Sequence, residues 1–350
     1  MKLFKNWKIK LVLLTVAAGI FAVSNIAAGN EATESETSNE GVQITILYDN
    51  YTLTEGCRTD WGFSCLVKGT EKCILFDTGT HGNILLDNIE RLQAPIQNVE
   101  LIAISHNHYD HIGGLLTFLG TNNDVSVYLP PSVPSSDISN IQATGASTQV
   151  VNAQMQLCER VHLTGPLGTN IIEQAMVLET PKGLVVITGC AHPGVVNITR
   201  TAKQMLDKDV YLVLGGFHLG GQSDSQIMSV IQQLQSLGVQ KVGPSHCTGD
   251  RAIELFRQEY GDDFVPMGIG KVTIPTQCDF NKDGTIDVND LVIIIESWGH
   301  PDPLADIAPP PFGDGTVDIN DLKLFMNYYK PVETQDPNLP APRTLNAEEI

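Results

Sequence analysis

The stretch ISHNHYDHIGG, residues 104–114, places three of the chain's nine histidines within six positions. It continues the apolar run VELIAIS, which predicts a buried strand, and leads into IGGLLTFLG, which predicts the start of a helix. A loop between a strand and a helix can turn His106 and His108 toward one metal ion, and Asp110 and His111 toward a neighbouring one. Imidazole nitrogens and carboxylate oxygens are the usual non-thiolate ligands of zinc and similar ions. The stretch therefore predicts a metal centre at a strand end.

Apolar strand-like runs alternate with helical patterns around this stretch, from residue 42 to residue 274. The strands are predicted from VQITILY, SCLVKG, KCILFDTG, VELIAIS, VSVYL, AMVLET, LVVITG, VYLVLGG and KVGPS. The helices are predicted from NILLDNIERL, VVNITRTAKQML, SDSQIMSVIQQLQSL and RAIELFRQEY. Many strands with helices between them predict an α/β domain in which sheets are packed between helices.

The segment SHNHYDHIGG resembles the HxHxDH signature of the metallo-β-lactamase superfamily, whose fold is an αββα sandwich with a metal centre on one edge of its two sheets. The resemblance covers residues 42–274 and includes FDTG at 76–79, TGCAHPGVVN at 188–197, GGFHL at 215–219 and SHCTG at 245–249. This combination is most similar to the branch named for ribofuranosylaminobenzene 5′-phosphate synthase. The resemblance therefore implies the αββα metallo-β-lactamase sandwich.

The resemblance also assigns ligands to two divalent ions, which we expect to be zinc. It implies that His106 and His108 bind one ion, and that Asp110 and His111 bind the second. His246 in SHCTG matches the late histidine that completes the second site. Asp110 is also the predicted catalytic residue, because its charge would hold the second ion and orient the nucleophile.

Four further residues surround this predicted centre. His192 in TGCAH is the candidate that completes the first site. Cys190 stands where many superfamily members have an aspartate that bridges the two ions, so it either binds zinc as a thiolate or is a buried thiol that leaves one site weaker. Asp77 is predicted to hold a ligand imidazole from behind, and His218 either lines the substrate pocket or is an ordinary loop histidine.

Two adjacent divalent ions lower the pKa of a bound water and stabilise charge on the attacked group. We therefore expect a hydrolase acting on an ester, phosphoester, lactone or related bond of a small-molecule substrate. The named branch implies an alternative, a transfer reaction on a phosphorylated sugar. A further alternative is a non-catalytic metal-binding or scaffold-interaction protein, in which Cys190 has replaced a residue that activity requires.

A second metal-binding stretch lies downstream, where DGTIDVNDL at 283–291 and DGTVDINDL at 314–322 repeat each other. The segment fits a calcium loop, with predicted ligands Asp279, Asn281, Asp283, Thr285, Asp287 and Asp290. The second copy retains Asp314, Thr316, Asp318 and Asp321 but has Pro310 and Phe312 at its first two positions, with Asp306 as a substitute ligand. Residues 278–330 resemble a dockerin type I module, a small α-helical domain that binds calcium. The resemblance implies a cohesin-type module as partner.

The remaining segments bear on localisation. Residues 1–28 have the basic, apolar and small-residue regions of a secretory signal peptide, with Ala28 as the last residue removed. Residues 29–41 predict a solvated linker and residues 331–350 a disordered tail. We expect a secreted, periplasmic or surface-attached protein without a membrane segment after cleavage. A net charge of −19 argues against nucleic acid as a partner.

Overall fold

The computed structural model describes residues 42–180, 182–273, 278, 280, 286–302, 305–307 and 316–329. The predicted signal peptide, the linker and the C-terminal tail lie outside the described residues. Within the described part, no helix combines the length and apolar character needed to cross a membrane. All seven cysteines are free thiols.

Two mixed sheets form the centre of the domain. The first has the strand order β13-β1-β2-β3-β4-β5-β6 and consists of β1 Gln43–Tyr48, β2 Ser64–Lys68, β3 Cys73–Phe76, β4 Val99–Ala103, β5 Ser126–Leu129, β6 Ser147–Val150 and β13 Gly270–Thr273. The second has the order β12-β11-β10-β9-β8-β7 and consists of β7 Met155–Cys158, β8 Val161–Leu163, β9 Met176–Thr180, β10 Gly183–Thr188, β11 Val210–Gly216 and β12 Lys241–Ser245. In the first sheet β3 to β6 run parallel, and in the second β10 to β12 do.

Helices cover the outer faces of both sheets. They are α1 Gly82–Arg91, α2 Tyr109–Ile112, α3 Leu115–Leu119, α4 Ser135–Ala143, α5 Val195–Leu206, α6 Asp224–Ser236 and α7 Asp250–Tyr260. Short 3₁₀ turns lie at Ile96–Asn98, His246–Thr248 and Gly261–Asp263. The prediction of an α/β fold with two sheets between helices is confirmed.

Side-chain alternation along the strands builds three apolar layers. In β10, Val185 and Ile187 belong to the core between the two sheets, whereas Leu184 and Val186 pack with the helices outside the second sheet. A third cluster lies between the first sheet and helices α1, α3 and α4. Strands buried on both faces explain why the sequence shows continuous apolar runs instead of alternation.

The nine predicted strands are all present, and the four predicted helices correspond to α1, α5, α6 and α7. The sequence did not predict β6, β7, β8, β13 or α4. The strand β6, STQV, has no buried residue and so carries no apolar signal. The strand β7 buries only Cys158, and β8 has only three residues, so neither shows a clear strand pattern.

Two helices in the C-terminal segment are described by themselves, α8 Val288–Glu296 and α9 Ile319–Tyr328. Their buried side chains belong to a separate apolar cluster that includes Ile294, Leu324 and Phe325. Both helices begin with an aspartate N-cap inside a capping box. The repeat seen in the sequence is therefore repeated in local structure.

Candidate metal centre

The predicted ligands lie where parallel strands of both sheets end. In the first sheet Asp77 follows β3, and residues 104–111 follow β4; in the second, residues 189–192 follow β10 and His246 follows β12. The carboxyl ends of parallel strands lie at one edge of a sheet, which is where ligands of α/β proteins bind. Segments far apart in the sequence therefore meet at one edge of the sandwich.

The side chains that belong to the predicted second site form a compact buried group. We call it the second group, and it consists of Asp110, His111, Cys190 and His246. The Cys190 Sγ lies 3.2 Å from His111 Nε2 and 3.4 Å from His246 Nε2. An oxygen of Asp110 lies 3.6 and 3.4 Å from the same two nitrogens. Ligands about 2.0–2.3 Å from one tetrahedral ion are separated by roughly 3.3–3.8 Å. The spacing of this group therefore fits one ion, with Cys190 at one vertex.

The side chains of His106, His108 and His192 form the first group. Their ring centroids are 4.6–4.9 Å apart. The Nε2 atoms of His106 and His192 are buried and have no hydrogen-bond partner among the described residues. Buried polar atoms are normally paired, so these two nitrogens fit metal ligands. The two groups adjoin, since the rings of His106 and His111 are 4.2 Å apart.

Asp77 is completely buried and contacts residues of the candidate metal centre from the protein side. Its carboxylate accepts hydrogen bonds from the backbone N–H and the hydroxyl of Ser105 and lies 2.7 Å from Nδ1 of His111. The Ser105 hydroxyl is in turn 2.9 Å from Nδ1 of His106. One carboxylate thus fixes a histidine of each group and leaves both Nε2 atoms directed at the centre, the arrangement expected of an outer-shell residue.

Glu173 is a functional candidate that the sequence did not reveal. Its buried carboxylate accepts the backbone N–H groups of three consecutive residues, Cys190, Ala191 and His192, at 2.8–2.9 Å. Ala191 has a left-handed φ of 61°, so the chain reverses direction between the two ligands. Cys190 then enters the second group and His192 the first. Glu173 therefore supports the turn that joins the two groups.

The electrostatics of the two groups differ. Burial and the neighbouring histidines hold the pKa of His106 far below its usual range, and they lower the pKa of His192 to about 4. Burial also disfavours the charged ring of His111, but the carboxylates of Asp77 and Asp110 outweigh it and raise the pKa to about 9. The first group is thus composed of neutral imidazoles. The second carries the acidic charge that balances a cation.

Two residues outside the predicted set contact His246. The ring of Trp61 lies 4.9 Å from the imidazole, although about half of the indole is exposed. The amide oxygen of Asn50 lies 3.1 Å from Nδ1 of His246. Neither residue has a signal in the sequence, because both come from loops with no motif.

His218 belongs to neither of the two groups. Its ring centroid is 4.3 Å from that of His192, and one of its ring nitrogens lies within 4.8 Å of the Cys247 Sγ. It lines a cavity of about 460 Å³ together with His192 and Arg200. Among the described residues, no aspartate or glutamate lines this cavity.

In the C-terminal segment, Asp290 and Asp321 are buried and occupy matching positions. Asp290 accepts the N–H of Phe280 at 2.7 Å, and Asp321 accepts the N–H of Ile307 at 2.5 Å. The caps Asp287 and Asp318 accept N–H groups from Asn289 and Asn320. Of the other predicted calcium ligands, Thr316 is described; Asp279, Asn281, Asp283, Thr285 and Asp314 lie outside the described residues.

The chain has a mixed α/β, two-sheet fold like that of metallo-β-lactamases, with a group of metal-ligand residues at one edge. Residues 62–136, which include the histidine stretch, match the model of the metallo-beta-lactamase superfamily. A solved structure described as a metal-dependent hydrolase of the beta-lactamase superfamily is 29% identical, with a TM-score of 0.58. That alignment covers 67% of this chain and 99% of the other.

Two proteins of Methanocaldococcus jannaschii are also similar. One is the 7,8-dihydropterin-6-methyl-4-(beta-D-ribofuranosyl)-aminobenzene-5′-phosphate synthase, 26% identical over 60% of this chain and 88% of the relative. The other is an uncharacterized protein, 27% identical over 65% of this chain and 98% of the relative. The named relative is a synthase and the solved structure a hydrolase. Similarity alone therefore leaves both reaction types open.

Proposed function

We propose that the sandwich domain is a binuclear metal-dependent hydrolase acting on an ester, phosphoester, lactone or related bond of a small molecule. The observation that carries this proposal is the pair of adjoining ligand groups at one edge of the two sheets. The similar solved structure, described as a metal-dependent hydrolase, supports it.

In this proposal His106, His108 and His192 hold one divalent ion, and the second group holds the other. Two divalent ions bound there would supply Lewis acidity and a lowered water pKa. Zinc is the expected metal, because imidazole and thiolate ligands suit it. The second group is buried, whereas His108 and His192 of the first group are half-buried, so the first group is the one that water can reach.

Asp110 supplies the negative charge of the second group. Burial disfavours its charge, but its hydrogen bond to His246 and the nearby His111 keep its pKa below the usual range. It therefore stays ionised at neutral pH and balances cationic charge in the second group. Asp77 and Glu173 orient the ligands from behind and touch no substrate.

The test is metal analysis of the purified full-length protein, followed by a substrate screen. After zinc loading and removal of loose metal, we expect at least two zinc ions per chain, and turnover of at least one member of phosphodiester, lactone and thioester panels. Excess calcium during loading keeps zinc off oxygen-only sites. Absence of bound zinc would refute the metal centre. Two bound ions without turnover on any panel would favour a non-catalytic metal-binding protein.

A second candidate function is a transfer reaction of the synthase type, which the similarity to the named archaeal relative favours. The residues are equally suited to it, because a bound alcohol or amine can replace water as the attacking group. Incubation with a ribose 5-phosphate donor that carries a leaving group at C1, and with an aminobenzene acceptor, separates the two functions, because the C1 bond to the leaving group breaks in both and either the acceptor or water takes its place. A coupled product favours the transferase, and release of the free sugar phosphate favours the hydrolase.

We further propose that the chain is exported and that residues 278–330 form a calcium-binding, dockerin-like module that binds a cohesin-type partner. The matching contacts of Asp290 and Asp321 support two equivalent loops. Asp306 directly precedes Ile307 as Asp279 directly precedes Phe280, so Asp306 takes the first ligand position of the second loop. The prolines of that loop then belong to an insertion.

A further inference from the structure

Cys247 lies next to the proposed binuclear centre but belongs to neither of its ligand groups. It follows β12 in the turn His246–Thr248, while His218 follows β11 and Cys190 follows β10. These three strands are parallel neighbours in the second sheet. The side chains of Cys190, His218 and Cys247 each place a ligand atom within 4.8 Å of the other two. We call these three residues the thiol group.

A glycine at the end of β11 leaves room for the thiol of Cys247. Gly216 ends β11, and a Cβ atom added there would lie 2.3 Å from the Gly189 carbonyl oxygen, 2.8 Å from the Cys247 Sγ and 3.2 Å from the Cys190 Cα. A side chain at this position would therefore clash with the backbone after β10 and with the Cys247 thiol. The same Sγ lies 3.5 Å from the carbonyl oxygen of Cys190. Only 7% of Cys247 is exposed, so its thiol is held in place by packing.

His218 completes the group from the solvent side. Its φ of 51° is left-handed, a conformation that is uncommon for a residue other than glycine. Its side chain is exposed, and one of its ring nitrogens lies within 4.8 Å of the Cys247 Sγ. Because it also lines the 460 Å³ cavity, an ion could reach the thiol group from solvent.

We propose that Cys190, Cys247 and His218 form a third metal site for a soft, thiophilic ion such as zinc, with Cys190 shared between this site and the second group. Two sulfur ligands and one imidazole select such ions over calcium or magnesium. Three protein ligands leave one tetrahedral position for an exchangeable ligand, a pattern typical of reactive rather than purely structural zinc sites. The proposal goes beyond the binuclear hydrolase, because that function uses neither Cys247 nor His218 as a ligand.

Cadmium is the probe, because its bonds to thiolates give an ultraviolet charge-transfer band that counts sulfur ligands. The full-length protein is stripped of metal, kept reduced with a phosphine, and titrated with cadmium in excess calcium so that carboxylate loops are occupied. We expect three cadmium ions per chain and a band corresponding to two thiolates. The Cys247→Ser protein should bind two ions, with the band halved.

Two further variants keep the test decisive if Cys247→Ser folds poorly. His218→Asn changes an exposed side chain and keeps a residue that tolerates left-handed φ; it should also bind two ions and lose half of the band. Cys65→Ser is the matched control, since Cys65 is a buried thiol of the core between the sheets. It should keep three ions and the full band.

The outcomes are distinct. Wild-type ion counts and band intensities in both Cys247→Ser and His218→Asn would overturn the third site and leave Cys247 a hydrogen-bonded thiol. A wild-type band of one thiolate would overturn it as well. A protein that binds a single cadmium ion, with a two-thiolate band lost in Cys247→Ser, would support the thiol group and refute the binuclear centre.

Discussion

Asp77 and Asp110 are both buried carboxylates at the metal centre, yet they face different partners. Asp77 is surrounded by hydrogen-bond donors on the protein side, and its oxygens are occupied by Ser105 and His111. Asp110 lies among the Nε2 atoms of His111 and His246 and is slightly exposed. Asp77 is therefore placed to orient the ligand residues, and Asp110 is placed to be a ligand itself.

Replacing Asp110 by asparagine should reduce activity far more than stability. The amide keeps the shape of the side chain but loses the charge that balances a cation in the second group. We expect turnover to fall by more than the roughly 10–100-fold that loss of an outer-shell residue causes, with a loss of unfolding free energy no larger than the about 0.5–3 kcal/mol of ordinary substitutions. Parallel measurement of turnover and thermal unfolding checks this. Asp87→Asn, in an exposed ion pair with Arg58, is the control and should change neither.

Glu173→Gln should weaken both metal sites at once. A glutamine offers one oxygen to three N–H groups and turns its own N–H toward them, so the turn from Cys190 to His192 should relax. We expect both zinc affinities to fall by about 10–100-fold, measured by competition with a chromophoric chelator. Glu179→Gln, on β9 and paired with Lys208 and His162, is the control and should retain wild-type affinities. Lowered stability with both affinities unchanged would contradict the positioning role.

The residues that the structure brings together at the edge of the sheets could be named from the sequence, because they lie in short motifs with recognisable spacing. Glu173 was not found, because its role depends on three backbone N–H groups and no pattern of residue types records them. The choice for Cys190 between ligand and buried thiol was also beyond the sequence. The spacing of the second group, at 3.2 and 3.4 Å from two imidazoles, now favours the ligand.

Among the structural elements, the loop from β4 to α3 is held by close backbone contact with the segment after β3. The N–H of Thr78 donates to the carbonyl of His111, and the N–H of Gly114 donates to that of Gly79. A Cβ atom on Gly113 would lie 2.3 Å from the Thr80 carbonyl oxygen. The backbone of Gly113 and Gly114, which follow the histidines, is thus in direct contact with the backbone of the FDTG segment and the residue after it.

Gly113→Ala should therefore destabilise the domain, whereas Gly120→Ala should not. Both glycines cap short helices with similar backbone angles, at α2 and α3. The added methyl group meets two backbone oxygens within 2.4 Å at Gly113, but its nearest atom at Gly120 is 3.3 Å away. We expect a loss of about 3 kcal/mol or more at Gly113 and below about 1 kcal/mol at Gly120. Denaturant unfolding of both variants measures the difference, and equal losses would refute the contact argument.

Most of the strands that the sequence predicted are buried on both faces, so their residues form continuous apolar runs that can be recognised in the sequence. The elements it missed have another source of stability. The strand β6 is stabilised by pairing with β5 and lies at the sheet edge with largely exposed side chains. The helix α4 buries only Ile141 and therefore shows little periodicity.

For the whole molecule, the sequence predicted two chemically different metal regions in one chain. Residues 104–246 bring nitrogen, sulfur and carboxylate donor atoms together, whereas the described carboxylates of the C-terminal repeat offer oxygen atoms alone. Zinc favours the first set and calcium the second. The two regions should therefore respond to different ions and to different chelators.

Calcium should order the C-terminal repeat without affecting the sandwich, because its clustered carboxylates repel one another until a cation neutralises them. Hydrogen exchange of the full-length protein should show slower exchange on adding calcium in peptides covering α8 and α9, and no change in peptides covering 104–114 and 188–193. Zinc should give the opposite pattern. Unchanged exchange in α8 and α9 with calcium would refute the calcium module.

Single substitutions then test which aspartates bind calcium in each loop of that repeat. Asp290→Ala should raise the calcium concentration needed for half-maximal protection of α8 by roughly tenfold or more, because it removes a charged ligand. Asp306→Ala should do the same for α9 if it supplies the first ligand of the second loop, and Asp314→Ala should then have no larger effect. Glu296→Gln, an exposed carboxylate at the end of α8, is the control and should leave both responses unchanged. Loss of calcium protection in Asp314→Ala but not in Asp306→Ala would show that the insertion has been placed wrongly, since the ligands would then follow the prolines instead of preceding them.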